Sequence, residues 1–280
     1  MDHASSSAPA KLNLFLYVTG TRDDGYHDIL TLMQKVSLFD RIAISLEPGD
    51  DIRIRTSARG IPVDERNTIH RAIQLFFGNA PAKRKQVTVD LEKNIPVEAG
   101  MGGASSDAAC VLKLLNTLAP SYSEPELTGI SARIGSDVPF FMMDGSGLAR
   151  GRGDIVNKVG IEGPLSYVVV KPGFGISTRR AYSLLKPLTK PGPPSMCDLA
   201  FYTKDAIIRC LQNDLETVTE EHAPEIEAIK EKLIQYGAKA AAMTGSGSCV
   251  FGIFFEDQEA QKALNKISKD YTTVYKLQGI

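Results

Sequence analysis

Cysteine is scarce in this chain, and the four present, Cys110, Cys197, Cys210 and Cys249, are scattered, with no Cys-x-x-Cys and no histidine pair at metal spacing. That excludes a zinc framework and a disulfide scaffold, and leaves buried thiols in a reducing compartment as the expectation. An excess of either charge is also missing. Lys and Arg number 32 against 33 Asp and Glu, a formal charge of -1, so there is no global footprint for nucleic acid or an anionic membrane. Long apolar runs are absent as well: the strongest, Val250 to Phe255, is far too short to cross a bilayer. The first seven residues, Met1 to Ser7, lack a basic region followed by an apolar core, so they do not read as a secretory signal and are expected to fray. The expected location is the cytoplasm.

What is present is enough apolar sequence, 43% of 280 residues, to bury sizeable cores. Two domains are expected, 1–160 and 161–280, with a hinge at Gly160 to Pro164. The first third is strand-rich: Ala10 to Thr19, two stretches between Thr31 and Leu46 interrupted around Phe39-Asp40-Arg41, and Asp51 to Ser57. Asn67 caps a helix carrying Ile69, Ile73, Phe76 and Phe77, and Gln86 to Leu91 is a further strand. Ser123-Glu124-Pro125-Glu126 combines an N-cap, a first-turn proline and a capping box for a helix ending near Gly135. The pattern breaks around Gly145-Ser146-Gly147, and the prolines of Lys186 to Ser195 mark a surface connection. The last third alternates: strand Tyr167 to Val170, helix Pro224 to Tyr236, strand Cys249 to Phe255, a helix from Asp257 and a closing strand Tyr271 to Leu277. The class is α+β, each part a sheet with helices on one face.

The richest segment for chemistry is Pro96-Val97-Glu98-Ala99-Gly100-Met101-Gly102-Gly103-Ala104-Ser105-Ser106-Asp107, running into the apolar-periodic stretch Ala108 to Leu118. A glycine-rich turn that opens a helix gathers unpaired N–H groups and the positive end of the helix dipole, which suits a nucleotide phosphate. A purely structural turn is the alternative. Neither common phosphate fingerprint is met, because no lysine follows the glycines and Ser105 stands where a dinucleotide motif has its third glycine. The cation must then come from elsewhere. Lys11 and Asn13, two residues apart in an apolar strand, share one face, either of a functional strand or of a solvent-facing edge. Asp137, in Gly135-Ser136-Asp137-Val138-Pro139-Phe140-Phe141, sits in a turn before apolar residues. It could accept a proton from an attacking hydroxyl or bond its own backbone. Gly25-Tyr26-His27 reads as a loop, and Thr244-Gly245-Ser246-Gly247-Ser248 as a second glycine-rich loop.

The order of these motifs resembles that of the GHMP small-molecule kinases: a Pro-Ala-Lys-x-Asn-Leu start, a Pro-x-x-x-Gly-Met-Gly-Gly-x-Ser-Ser loop, Gly-Ser-Asp-Val-Pro-Phe and a terminal Thr-Gly-Ser-Gly. The likeness runs from about Pro9 to Phe255. Asp24-Gly25-Tyr26-His27 and Lys11-Leu12-Asn13-Leu14-Phe15-Leu16 narrow it to a branch serving isoprenoid synthesis outside the mevalonate route. The resemblance implies a two-lobed fold, with an N-terminal lobe of the ribosomal-protein and gyrase type and a ferredoxin-like C-terminal lobe. It implies ATP-dependent phosphorylation, with Mg2+, of the 2-hydroxyl of a methylerythritol carrying cytidine diphosphate. It makes Lys11 and Asp137 catalytic and assigns Pro96, Val97, Glu98, Ala99, Gly100, Met101, Gly102, Gly103, Ala104, Ser105 and Ser106 to the ATP phosphates. Asn67 and Lys93 fall near its adenosine, and Asn13, Tyr26, His27, Tyr182, Gly245 and Gly247 at its acceptor substrate. Which residues hold the metal is left open, and so is a homodimer.

A homoserine or mevalonate kinase of the same superfamily is the competing enzyme; Tyr26, His27 and Tyr182 favour a cytosine-bearing substrate. A catalytically silent sensor is disfavoured because Lys11 and Asp137 are both present. Three positions depart from the family pattern. Met101 replaces the usual leucine, and Ala104 replaces a glycine, which is tolerable if φ stays negative. Asp107 adds negative charge near the phosphates, expected to be tolerated only through a metal, a water or a helix cap.

Overall fold

The computed structural model describes residues 2–79, 85–185, 197–218 and 223–280. The proline-rich connection Lys186 to Ser195 lies outside them. The chain packs into two compact units, one formed by Met1–Ala10, Leu38–Ile95 and Gly102–Asp144, the other by Lys11–Ser37, Pro96–Met101 and Gly145–Ile280. These units interleave along the chain and do not follow a single cut at residue 160.

The first unit contains the beginning of β1 (Asp2–Thr21), the end of β2 (His27–Glu47), β3 (Ile52–Thr56), α1 (Thr68–Asn79), β4 (Gln86–Glu92), α2 (Gly103–Leu118), α3 (Glu124–Ile134) and α4 (Val138–Met142). β2 runs antiparallel to β4, pairing Ile42 with Leu91, Ile44 with Val89 and Leu46 with Val87. All six are buried, the period of two expected of a sheet with one covered face. At about 1.5–3 kcal/mol for each large aliphatic side chain buried, a register slip of one residue, which would turn all of them to the other face, is strongly disfavoured. β3 adds parallel to β4, Ile52 opposite Val87. Asn67 caps α1 as its sequence requires, its Oδ1 accepting from Ile69 N at 2.9 Å. At the start of α3, Ser123 N donates to Glu126 Oε2 at 2.8 Å, and the helix ends at Ile134, before Gly135.

The second unit contains the rest of β1 and β2, then β5 (Ser146–Arg150), β6 (Ile155–Ile161), β7 (Ser166–Val170), α5 (Thr178–Ser183), β8 (Phe201–Tyr202), α6 (Lys204–Cys210), α7 (Ala223–Gln235), β9 (Ala240–Met243), β10 (Val250–Phe254), α8 (Asp257–Ile267) and β11 (Val274–Gln278). Its four-stranded antiparallel sheet has the order β11-β7-β10-β9. Ile226, Ile229 and Leu233 of α7 and Ala260, Ala263 and Ile267 of α8 form one core with Val168, Val170, Val250 and Phe254. Strand, helices, two strands, helix, strand along the chain, with the sheet order β11-β7-β10-β9, is the ferredoxin-like arrangement expected for this part.

Four expectations are corrected. The N-terminus is strand from Asp2 rather than frayed. β2 runs unbroken through Phe39-Asp40-Arg41, because the buried Asp40 is neutralised by Lys93, far along the chain. The stretch from Ser146, where the sequence pattern breaks, is buried β5, paired with β2 through Leu148 opposite Leu32 and with β6 through Leu148 opposite Asn157. Gly160 lies inside β6, opposite Phe201, where a Cβ would come 2.6 Å from the phenyl ring; glycine there permits close approach and makes no hinge.

Candidate active site

In the second unit the site is built around β1. Lys11 and Asn13 are 3% and 4% exposed, so the strand face they share is an interior one and not a solvent edge. The Lys11 ammonium donates to Asn13 Oδ1, while Asn13 Nδ2 donates to Thr31 Oγ1 at 2.8 Å and Thr31 Oγ1 to Phe15 O at 2.6 Å. The asparagine is thereby oriented with its carbonyl toward the ammonium. Two loops close on this pair. Lys11 N donates to Met101 O at 3.0 Å, and Asn13 N to Thr244 Oγ1 at 3.0 Å. Thr244 Oγ1 donates in turn to Gly100 O at 3.3 Å, and Cys249 N to Ala99 O at 3.2 Å. Gly100, at φ 72°, has no room for a side chain, since a Cβ would overlap the Thr244 carbonyl. A Cβ on Gly245 would fall 2.8 Å from Gly100 O and 3.1 Å from Lys11 Nζ. The segment Pro96–Met101 and the loop carrying Gly245 and Gly247 are thus brought together with Lys11 and Asn13.

The aromatic residues of the same unit separate into two contacts. His27 stacks on Tyr182 of α5, centroids 5.6 Å apart and planes 30° apart. Tyr26, 54% exposed, instead lies under the Arg152 guanidinium, 5.1 Å from its ring centre.

In the first unit, α2 begins at Gly103 with Gly102 as a left-handed N-cap at φ 72°. No side chain caps this end, where the N–H groups of the first turn and the positive end of the helix dipole favour an anion. Ala104 lies inside the helix, and Glu98 is the one non-glycine residue at positive φ among the described residues. The departure at 104 therefore carries no backbone strain. Thr68 Oγ1 donates to Ala104 O at 2.8 Å, joining the cap of α1 to this turn. Asn67 spends one donor on Pro62 O at 2.7 Å and one lone pair on its capping bond, leaving a second hydrogen and a second lone pair. Ser106 Oγ is buried with no hydrogen-bond partner among the described residues.

Asp107 has a protein partner that the sequence does not announce. Its Oδ2 lies 3.2 Å from the Lys93 ammonium, and the same ammonium contacts Asp40. Asp40 Oδ1 also accepts from Asn94 N at 2.6 Å and Ile95 N at 2.9 Å. One buried ammonium thus faces two carboxyls, of which Asp40 accepts the more hydrogen bonds. Burial pushes the Asp107 carboxyl up to about 8, against the pull of Lys93 and with a further push from Asp40. Near neutrality it holds a proton, so no uncompensated anion stands beside the loop. Sequence reasoning missed Asp40, whose only local signal is a charge inside an apolar strand.

Asp137 is half-buried and directly precedes α4, making no cap hydrogen bond to it. Val138, Pro139, Phe140 and Phe141 behind it are all buried, the dry wall that its position in the sequence implies.

Comparison with known proteins agrees with this architecture. Residues 67–145 match the family model of the GHMP kinases N terminal domain, and residues 203–273 that of GHMP kinases C terminal. A 4-diphosphocytidyl-2-C-methyl-D-erythritol kinase of Syntrophotalea carbinolica is 42% identical over 262 residues, 93% of each chain. A crystal structure of 4-(cytidine 5'-diphospho)-2C-methyl-D-erythritol kinase superposes with a TM-score of 0.81 at 31% identity, covering 99% of this chain and 100% of that one. A homoserine kinase from Cytophaga hutchinsonii, at TM-score 0.80 but 18% identity over 100% of this chain and 95% of its own, shares the fold alone. With both family models matched in order and relatives this similar along almost their whole length, the chain belongs to the GHMP kinase family, in the group of 4-diphosphocytidyl-2-C-methyl-D-erythritol kinases.

Proposed function

We propose that this protein uses ATP to phosphorylate the 2-hydroxyl of 4-diphosphocytidyl-2-C-methyl-D-erythritol, a step of isoprenoid synthesis outside the mevalonate route. The observation that carries the reading is the 42% identity, over 93% of both chains, to a relative of that name. The acceptor oxygen attacks the γ-phosphorus, its bond forms as the bond to ADP breaks, and Asp137 takes the hydroxyl proton. Lys11 supplies the cation that the phosphate loop lacks and stabilises charge building on the transferred group. Pro96 to Ser106 cradle the phosphates through backbone N–H groups, with Asn67 and Lys93 toward the adenosine. Asn13, Gly245 and Gly247 line the acceptor site, and Tyr26, His27 and Tyr182 take the cytosine; the His27–Tyr182 stack is a flat aromatic surface suited to a base.

Mg2+ prefers oxygen ligands and leans on substrate phosphates more than on protein cages. The residues fit that habit: the buried Ser106 Oγ, unpartnered among the described residues, and the Ser105 hydroxyl lie in the first turn of α2. When bound with ATP, the ion neutralises charge on the phosphate oxygens.

The two-part division 1–160 and 161–280 is kept as a proposal about sequence; the two family matches fall on either side of it. No helix among the described residues is long and apolar enough to cross a membrane. The four cysteines are buried and outside any disulfide, which suits the cytoplasmic location we assign. A homodimer is the assembly to test by light scattering. Steady-state turnover with ATP and a panel of cytidine-diphospho-methylerythritol, mevalonate and homoserine tests the function. Turnover of the first alone is expected; preference for either of the others would overturn the reading.

A further inference from the structure

The turn after α6 makes a set of bonds to which no motif in the sequence points. Asn213, 5% exposed, donates its amide hydrogens to Met243 O and Gly245 O, both at 2.8 Å. Its Oδ1 accepts from Leu215 N at 3.0 Å. On one side of it, Leu16 N donates to Gln212 O at 2.7 Å and Val18 N to Asp214 Oδ2 at 2.8 Å. On the other, Glu216 Oε1 accepts from Met243 N at 2.6 Å. Four residues, Gln212, Asn213, Asp214 and Glu216, thus hold β1, the strand of Lys11 and Asn13, and also the end of β9 with the turn that lies over those two side chains.

We propose that Asn213 is a positioning residue for phosphoryl transfer: by holding the Met243 and Gly245 carbonyls it fixes the Thr244–Gly245 turn against Lys11 and Asn13, and so sets where the Lys11 ammonium stands. The proposal rests on the kinase reading above. Only a primary amide offers two coplanar donors at one end and an acceptor at the other, and here both donors and one lone pair of the oxygen are engaged. The turn it holds has no slack. Thr244 is bonded to Asn13 N and Gly100 O, and the space above Gly245 is filled by Gly100 O and Lys11 Nζ. In so dense a contact a shift at Met243 or Gly245 is passed on, and a misplacement of about 1 Å can cost about a hundredfold in rate.

Asn213→Asp is nearly isosteric and keeps the acceptor for Leu215 N, but turns an oxygen toward two carbonyl oxygens. It is compared with wild type and with Leu233→Ala, a core truncation in the same unit that lowers stability without touching the turn. The measurements are kcat and KM for ATP and for the cytidine-diphosphate alcohol, at a temperature where all three proteins are folded, with amide hydrogen exchange of residues 244–248. For Asn213→Asp the expected result is a fall in kcat of about ten- to a hundredfold, a KM for ATP close to wild type, and faster exchange in 244–248. Leu233→Ala should melt earlier yet keep its kcat. Wild-type kcat in Asn213→Asp, or a lowered kcat without faster exchange, would overturn the proposal. Should Asn213→Asp fail to fold, Asn213→Ser, which removes both long-range bonds without adding charge, takes its place with the same expectations. Failure of the wild-type protein to turn over any alcohol in the panel would instead sink the kinase reading, which separates the two.

Discussion

At the scale of single residues, Lys11 and Asp137 are expected to act on the chemical step and not on folding. Loss of a general base costs about 10² to 10⁴ in rate, so Asp137→Ala should lower kcat far more than it raises KM, with ATP binding retained in a titration. Lys11→Ala should behave alike, and if the two act as one unit the double variant will be little worse than either; wild-type turnover in Asp137→Ala would remove the assignment. Asp107 gives a pH signature. An aspartate in an unfolded chain titrates near 3.9, whereas burial beside Asp40 holds this one at about 8. Between those values the native state binds a proton that the unfolded state has released. The group's stabilising contribution is therefore complete below about pH 4 and is lost as pH rises through about 8. In Asp107→Asn, neutral throughout, that loss disappears, so melting temperatures measured from pH 5 to pH 8 should shift progressively in the variant's favour relative to wild type. Parallel curves would mean that Asp107 is ionised across the range.

At the scale of elements, α2 turns a question about the phosphate loop into one about helix propensity. Since Ala104 is helical and exposed, Ala104→Gly should destabilise the protein by about 0.5–1 kcal/mol and leave ATP affinity nearly unchanged. Paired melting curves and ATP titrations check this; a tenfold gain in affinity would show that the loop prefers the greater freedom of glycine. Elements whose signals lie within a few residues are the ones legible in the sequence. The α1 and α3 boundaries follow from Asn67, Ser123 and Glu126, which bond their own first turns. The left-handed turn into α2 follows from Gly100 and Gly102, both at φ 72°. The continuity of β2 through Asp40 was illegible because its compensating charge, Lys93, is 53 residues away. Asn213 was illegible for the same kind of reason: its partners are carbonyls 30 and 32 residues on, and a carbonyl has no sequence identity.

At the scale of the whole molecule, substrate choice is the property to measure. A site that hydrogen-bonds a polar edge rejects analogues lacking it more strongly than an apolar pocket rejects a missing methylene, so the uridine form of the substrate should be poor. Equal kcat/KM for the cytidine and uridine forms would show that the base is not read. The interleaving of the two packing units bears on how the chain is made. Every residue of the first unit has been synthesised once Asp144 is joined, whereas Lys11–Ser37 belong to a unit whose sheet is completed only by β11 at Val274–Gln278. Segments this distant in sequence pair late and leave apolar strands exposed meanwhile. Separate expression of 1–160 and 161–280 should therefore give fragments that are aggregated or poorly folded alone, and that regain kinase activity only when refolded together; a soluble, cooperatively melting 161–280 fragment would show that the second unit can do without its N-terminal strands.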